Sequence, residues 1–395
     1  MTSIERLSRP RFAFLLVMAV AITQYAVWVI LVLSGGPDFI LGGDFVAFWC
    51  AARETLAGNL VDLYTADGVD AAILKHRPDI ELTGLTWQYP PHASLIFSPI
   101  GYLPFMLAYA LWCGLGLTVF TTVLISIGLK GRFLLAVLAM APVMIALNTG
   151  QNALFTGSLL LVAVFYAKPR PVLAGLAAGL LTIKPQLGVL LPVFFLASGH
   201  WRAFLVAAIV SILLCGWSYL VVGAEGWIAF FTFLGIISDS VSNGIMPLYK
   251  MVNVYSAARL AWLPEIIVLA LAGLTLAASI CAIVWTSRNT DDARWHYAVL
   301  ATMTLLTTPY SMYYELVLIV PALAFVVLHG AQTRWLSWER ESVAALMLIS
   351  VTLPGPETQV GLSLGFIVCL AASAIVIRRL HSVVSASNSA AKQAP

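Results

Sequence analysis

Residues 38–58 read Asp38-Phe39-Ile40-Leu41-Gly42-Gly43-Asp44-Phe45-Val46-Ala47-Phe48-Trp49-Cys50-Ala51-Ala52-Arg53-Glu54-Thr55-Leu56-Ala57-Gly58. The Gly42-Gly43 pair breaks the chain, Asp44 takes the N-cap position, and Phe45, Phe48, Trp49, Ala52 and Leu56 recur at helical spacing. With Arg53 and Glu54 on the opposite face, the pattern predicts an amphipathic helix lying in a membrane interface. Its first residue is a carboxylate just beyond the end of the first hydrophobic stretch. Helix capping, worth about 1 kcal/mol, is the plainest role for Asp44.

A membrane enters through composition. Of the 395 residues, 61% are hydrophobic and 10% charged, with a mean hydropathy of +0.94, which excludes a soluble globular protein. The sequence predicts an all-α integral membrane protein, a polytopic bundle of about twelve transmembrane helices, several too short to cross a ~30 Å hydrocarbon core unaided. The expected spans are residues 11–33, 103–128, 132–147, 152–167, 171–183, 185–198, 202–222, 262–286, 294–308, 312–330, 342–353 and 358–378. No small-residue cleavage site follows the first, so it is expected to stay as an uncleaved span.

Charge sets the orientation. With the N-terminus inside, 15 of the 21 Lys and Arg residues fall on the inner side. Arg53, Lys75, Arg77, Lys184, Lys250 and Arg259 remain outside, together with 13 of the 18 Asp and Glu residues. Both termini are therefore expected inside and the two long loops, 34–102 and 223–261, outside, each carrying interfacial helices. Residues 1–381 read as one transmembrane domain and 382–395 as a short disordered cytoplasmic tail. The net charge of +3 reports this inner bias and not a nucleic-acid surface. Four of the five cysteines lie in or beside apolar stretches, leaving Cys50 alone outside, so neither a disulfide framework nor a metal site follows.

Polar residues interrupt the apolar pattern at a few places. In Thr86-Trp87-Gln88-Tyr89-Pro90-Pro91-His92 the prolines forbid a regular helix, so the segment either re-enters the protein or anchors it at the interface. An amide-rich turn, Asn148-Thr149-Gly150-Gln151-Asn152, separates two spans, and Lys184-Pro185-Gln186 separates two more. Lys184 runs against the inner bias: it either belongs to a polar site buried in protein or snorkels to the headgroups. The second outer loop predicts another interfacial helix over 227–237, followed by Lys250 and Arg259. Thr308-Pro309-Tyr310-Ser311-Met312-Tyr313-Tyr314-Glu315 adds a carboxylate, which Tyr313 and Tyr314 could satisfy structurally. Five segments are thus expected to converge at one membrane depth.

Asp44-Phe45, Ala51-Ala52-Arg53, Leu56-Ala57-Gly58, Leu63-Tyr64, Tyr89-Pro90-Pro91, Gly150-Gln151-Asn152, Lys184-Pro185 and Pro309-Tyr310 occur in the order and approximate spacing found in glycosyltransferase family 87. Over nearly its whole length the chain resembles that family, whose known enzymes have the GT-C fold and transfer mannose from a polyprenyl-phosphate carrier. The resemblance implies a GT-C type bundle, a lipid-linked donor used at the extracytoplasmic face of the cytoplasmic membrane, and Asp44 as the catalytic aspartate. Where relatives carry a Ser-Trp-x-His-His motif, this chain has Ser311-Met312-Tyr313-Tyr314-Glu315. Work done by a histidine at the donor phosphate would pass here to tyrosines or to Lys184.

The residues agree with that chemistry in one respect. No Asp-x-Asp pair is present to hold a divalent metal on a nucleotide diphosphate, so neither metal nor cofactor is expected. Transfer from a lipid phosphate needs cations at the phosphate and a base at the acceptor hydroxyl. Asp44 is the candidate base, its helix N-terminus favouring the ionised form. Lys184, Lys250 and Arg259 are the candidate cations; Tyr89, Gln151, Tyr310, Tyr313 and Glu315 are candidate sugar or phosphate contacts. The expected activity is inverting transfer of a hexose, mannose first, to a lipid or glycan hydroxyl. A transporter or flippase of lipid-linked sugar and a non-catalytic envelope-assembly subunit are the rival classes. The former would place ionisable groups near the bilayer midplane instead of at one edge.

Overall fold

The computed structural model describes residues 42–350 and 363–393, together with Ile22, Thr23, Tyr25, Ala26 and Ile30. The first expected span, apart from those five residues, and residues 351–362 lie outside the described part. Every regular element described is a helix, and the one β-type contact is an isolated antiparallel bridge between Met251 and Met312.

Five described helices are long and apolar enough to cross a membrane: Phe105–Ser126, Trp201–Ser242, Glu265–Asn289, Tyr313–Gln332 and the helix beginning at Leu364. A sixth crossing is possible if Gly131–Leu138 and Ala141–Thr149, bent by 49° at their junction, act as one. Fewer than the twelve expected spans reach that length among the described residues. Apolar stretches expected to cross form shorter pieces, such as Ala153–Phe165, Pro171–Ile183 and Pro185–Ala197, the last opened by Pro185. Ala293–Thr307, at 15 residues, reaches only about 22 Å and is buried along most of its length. A helix enclosed by protein and one facing lipid are equally apolar, so composition cannot separate them.

The expected span at 202–222 and the expected helix at 227–237 fall on either side of a break at Gly223 (φ 70°, ψ −175°) within Trp201–Ser242. No proline divides them, and glycine accommodates the bend. The last helix described is Leu364–Gln393. One expectation changes: the apolar face of Phe45–Leu56 packs against protein and not against lipid. Phe45, Val46, Ala47, Phe48, Trp49, Cys50, Ala51 and Ala52 are all buried. The rings of Trp87, Phe97 and Trp112 each lie 5.4–5.6 Å from that of Phe48, and Tyr109 lies 5.5 Å from Phe45. The segment that follows folds back over this helix, and aromatic side chains cover its apolar face.

The core accordingly has two main parts. One fills the helical bundle around Phe120, Phe194, Trp295, Tyr297 and Phe325. The other surrounds Phe45–Leu56 with Leu63, Trp87, Phe97, Trp112 and Phe233. Glu54, on the helix's polar side, is buried and receives hydrogen bonds from Lys75 (3.0 Å) and Asn59 (2.9 Å), tying the helix to Gly68–His76.

Candidate active site

Two glycine turns meet to place Asp44. Gly42 (φ 71°) and Gly150 (φ 68°) both occupy the left-handed region, and a Cβ on Gly150 would collide with that of Phe45. The turns are stitched together by Gly42 N–H to the Asn148 carbonyl (3.0 Å) and Asp44 N–H to the Thr149 carbonyl (3.1 Å). Trp112 Nε1 donates to the Gly150 carbonyl at 3.0 Å, fixing the second turn from behind.

Asp44 stands at the N-cap position, yet its side chain makes no capping hydrogen bond. Its Oδ2 instead accepts from Gln151 Nε2 at 2.8 Å. Loss of water pushes the Asp44 pKa up, opposed by the Gln151 hydrogen bond and by the charges of Lys250 and Lys184. Burial therefore outweighs the N-terminal effect expected to favour ionisation.

The carboxylate lines a cavity of about 480 Å³. Lys184, Tyr89, Gln151, Lys250, Tyr310 and Tyr313, all expected at a site, line it as well. Burial pushes the phenol pKa values of Tyr89 and Tyr310 up to about 12, so both remain protonated donors. The lysines differ. Lys184 is buried, forms an ion pair with fully buried Glu315, and donates to Asn152 Oδ1 at 3.3 Å. Its ammonium lies 5.0 Å from the Tyr314 ring centre and 5.7 Å from that of Tyr89. Lys250, on the short 3₁₀ turn Leu248–Lys250, is partly exposed to the cavity.

Two expected site residues sit elsewhere. Arg259 pairs with Glu265 at 2.8 Å and donates to the Ser242 carbonyl, away from the cavity, because the chain turning at Pro264 brings a carboxylate to it. Glu315 is enclosed behind Lys184, where it compensates a cation and does not present an oxygen to the cavity.

Sequence reasoning passed over Gln88, Thr86, Gln186 and Tyr249 as site residues, although all line the cavity, as does Tyr314, one of the tyrosines expected to take over a histidine's work. Gln88 Nε2 donates to Tyr310 Oη at 2.9 Å and thereby joins the segment before Pro90 to the tyrosines after Pro309. The loop over 82–86 is held by Asp70, whose carboxylate accepts from the N–H groups of Gly84 (2.8 Å) and Leu85 (3.3 Å). No local pattern announces these partners. Beside the cavity, Pro185, flanked by Lys184 and Gln186, opens a second, apolar groove of about 240 Å³ with Leu181, Val189, Phe204 and Ala207. Among the described residues no group of three His, Cys, Asp or Glu side chains is arranged to hold a metal ion.

The model of glycosyltransferase family 87 matches residues 87–309, more than half of the chain. The match takes in Tyr89, Gln151, Lys184 and Lys250; Asp44 precedes it and Tyr310 follows it. No curated protein matches the chain, and no solved structure does.

Proposed function

Because the chain belongs to glycosyltransferase family 87, we propose that the cavity transfers a hexose, mannose first, from a polyprenyl-phosphate carrier to a hydroxyl of a lipid or glycan acceptor. The observation that carries this reading is the placement of Asp44: its carboxylate leaves its own helix uncapped and opens into a cavity that also holds Lys250 and Lys184. A base and a phosphate-binding cation are the two groups the transfer needs. The acceptor hydroxyl gives its proton to Asp44 as its oxygen bonds to the anomeric carbon. The bond from that carbon to the carrier phosphate breaks, and the phosphate leaves with the electron pair. Attack from the side opposite the phosphate inverts the anomeric centre.

Lys250 is the principal cation for the leaving phosphate, since Glu315 already claims much of the Lys184 charge. Tyr89 and Tyr310 supply hydroxyl contacts to the sugar. The apolar groove beginning at Pro185 supports a donor whose headgroup enters the cavity while its carrier remains in lipid. The inner-side bias of Lys and Arg supports a reaction at the extracytoplasmic face of the cytoplasmic membrane.

Asp44→Asn preserves size while removing proton acceptance. Transfer from radiolabelled polyprenyl-phosphate mannose should fall on the order of a hundredfold or more, with donor affinity and thermal stability retained. A normally folded Asp44→Asn protein with wild-type turnover would overturn the assignment.

A further inference from the structure

We propose that Gln151 is a positioning residue for the base: its amide pins one oxygen of the Asp44 carboxylate and leaves the other turned to the cavity for the acceptor hydroxyl. The inference rests on the reading of Asp44 as general base, and replaces the sugar or phosphate contact expected of Gln151 from sequence.

The geometry is specific. Gln151 Nε2 lies 2.8 Å from Asp44 Oδ2, and Gln151 is the one side chain among the described residues that donates to this carboxylate. A carboxylate only accepts, so the amide must present its nitrogen and turn its oxygen away. That oxygen, Oε1, lies 3.5 Å from Tyr89 Oη, which is also 3.4 Å from Asn152 Oδ1. The amide nitrogen is thus held by Asp44 while its oxygen faces the Tyr89 hydroxyl. The backbone holds the residue in turn: Gln151 N–H donates to the Ala146 carbonyl at 3.0 Å, and the preceding carbonyl receives Trp112 Nε1. Gln151 is nearly fully buried, so the amide has little freedom to swing toward a substrate.

A pinned oxygen matters because proton transfer depends on direction and distance. With Oδ2 tied to the wall, Oδ1 is the oxygen available to the hydroxyl. The hydrogen bond also stabilises the charged form of a carboxylate that burial drives toward the neutral one. The remaining ionisable groups acting on Asp44 are the Lys184 and Lys250 ammoniums and, across the cavity, the Tyr89 and Tyr314 phenols. Gln151 is neutral, so its replacement by methionine alters the carboxylate without changing the site's charge.

The ionisation of Asp44 can be followed without substrate. In the full-length protein in detergent, the infrared band of a protonated carboxyl that is present in wild type and absent from Asp44→Asn is titrated with pH. Loss of a hydrogen bond to a charged group should raise its midpoint by about one to two pH units in Gln151→Met. Gln151→Glu, which has the shape of the native side chain, should raise it further through like-charge repulsion. Because the base form exists only above the Asp44 pKa, the acid limb of the transfer rate from polyprenyl-phosphate mannose should move upward in the same order. With a membrane lipid extract as acceptor source, Gln151→Met should lower kcat about tenfold, leave the donor KM within about twofold, and have no further effect in an Asp44→Asn background. An unmoved infrared midpoint in folded Gln151→Glu or Gln151→Met protein, or a raised KM with an unmoved midpoint, would overturn the positioning role. Wild-type turnover in Asp44→Asn would instead sink the base reading, while the titration would still report whether Gln151 controls the carboxylate.

Discussion

Arg379 and Lys184 are both buried cations facing buried carboxylates, Glu339 and Glu315, in surroundings that differ in one respect. Around Arg379 the donors and acceptors close on each other. Its Nε donates to Glu339 Oε1 at 2.7 Å, its Nη1 to the Arg334 carbonyl at 3.0 Å, and Glu339 Oε2 accepts the Leu336 N–H at 3.2 Å. This forked arrangement fastens Glu339–Ile349 to Leu364–Gln393 and leaves the pair no opening. Lys184 instead combines one ion pair with a 3.3 Å hydrogen bond to Asn152 and borders the 480 Å³ cavity. Buried charge alone does not mark a function; a cation at an open wall can also serve a ligand.

The largest effects should come from breaking the two pairs. Arg379→Met strands Glu339 and is expected to cost about 3–5 kcal/mol, while Arg379→Met combined with Glu339→Leu should recover most of that. Lys184→Met should also destabilise, but it should weaken donor binding too. Adding Glu315→Gln should restore the fold without restoring affinity. Thermal unfolding and donor affinity measured on the same preparations decide this. If the Lys184→Met and Glu315→Gln double variant bound donor normally, the two pairs would be equivalent fold locks.

A smaller effect separates cations that sequence placed together. Lys250→Met should weaken binding of polyprenyl-phosphate mannose about tenfold or more with little change in thermal stability, the loss expected of a hydrogen bond to a charged group. Arg259→Met, acting on a residue committed to Glu265 and the Ser242 carbonyl, should leave affinity within about twofold. Equal losses in the two variants would place Arg259 within reach of the phosphate.

The smallest perturbation concerns which side of the membrane each region faces. Cysteines placed at Glu81, in the loop beside the cavity, and at Thr290, after Glu265–Asn289, in a background free of native cysteines should react with an impermeant reagent from opposite sides. Reaction of both from the same side would remove the orientation inferred from Lys and Arg.

Much of the cavity was legible because its residues interrupt apolar patterns. Asp44 after two glycines, Tyr89 before two prolines, Gln151 in an amide turn and Lys184 before Pro185 each stand out locally, and the fold brings all four together. Gln88 carries no such signal, since its partner Tyr310 is 222 residues away. Arg259 stood out through its charge, but the glutamate that occupies it follows Pro264 and reads as the start of another helix. The aromatic helix after Asp44 misled for a different reason: an apolar face suited to lipid is equally suited to Trp87, Phe97 and Trp112.

The sequence by itself determined that this is a helical membrane protein whose ionisable residues punctuate otherwise apolar segments. Chain-local spacing sets hydropathy, helix breaks and glycine turns, and those features need no knowledge of distant neighbours. Only the tertiary structure decided how the polar groups are used. Asp44 could have capped its own helix, but Gln151, 107 residues away, takes its carboxylate. Lys184 could have reached for headgroups, but Glu315 binds its charge. In a buried setting each donor and acceptor must find a partner, and which partner it finds depends on positions that exist only after the distant segments have packed.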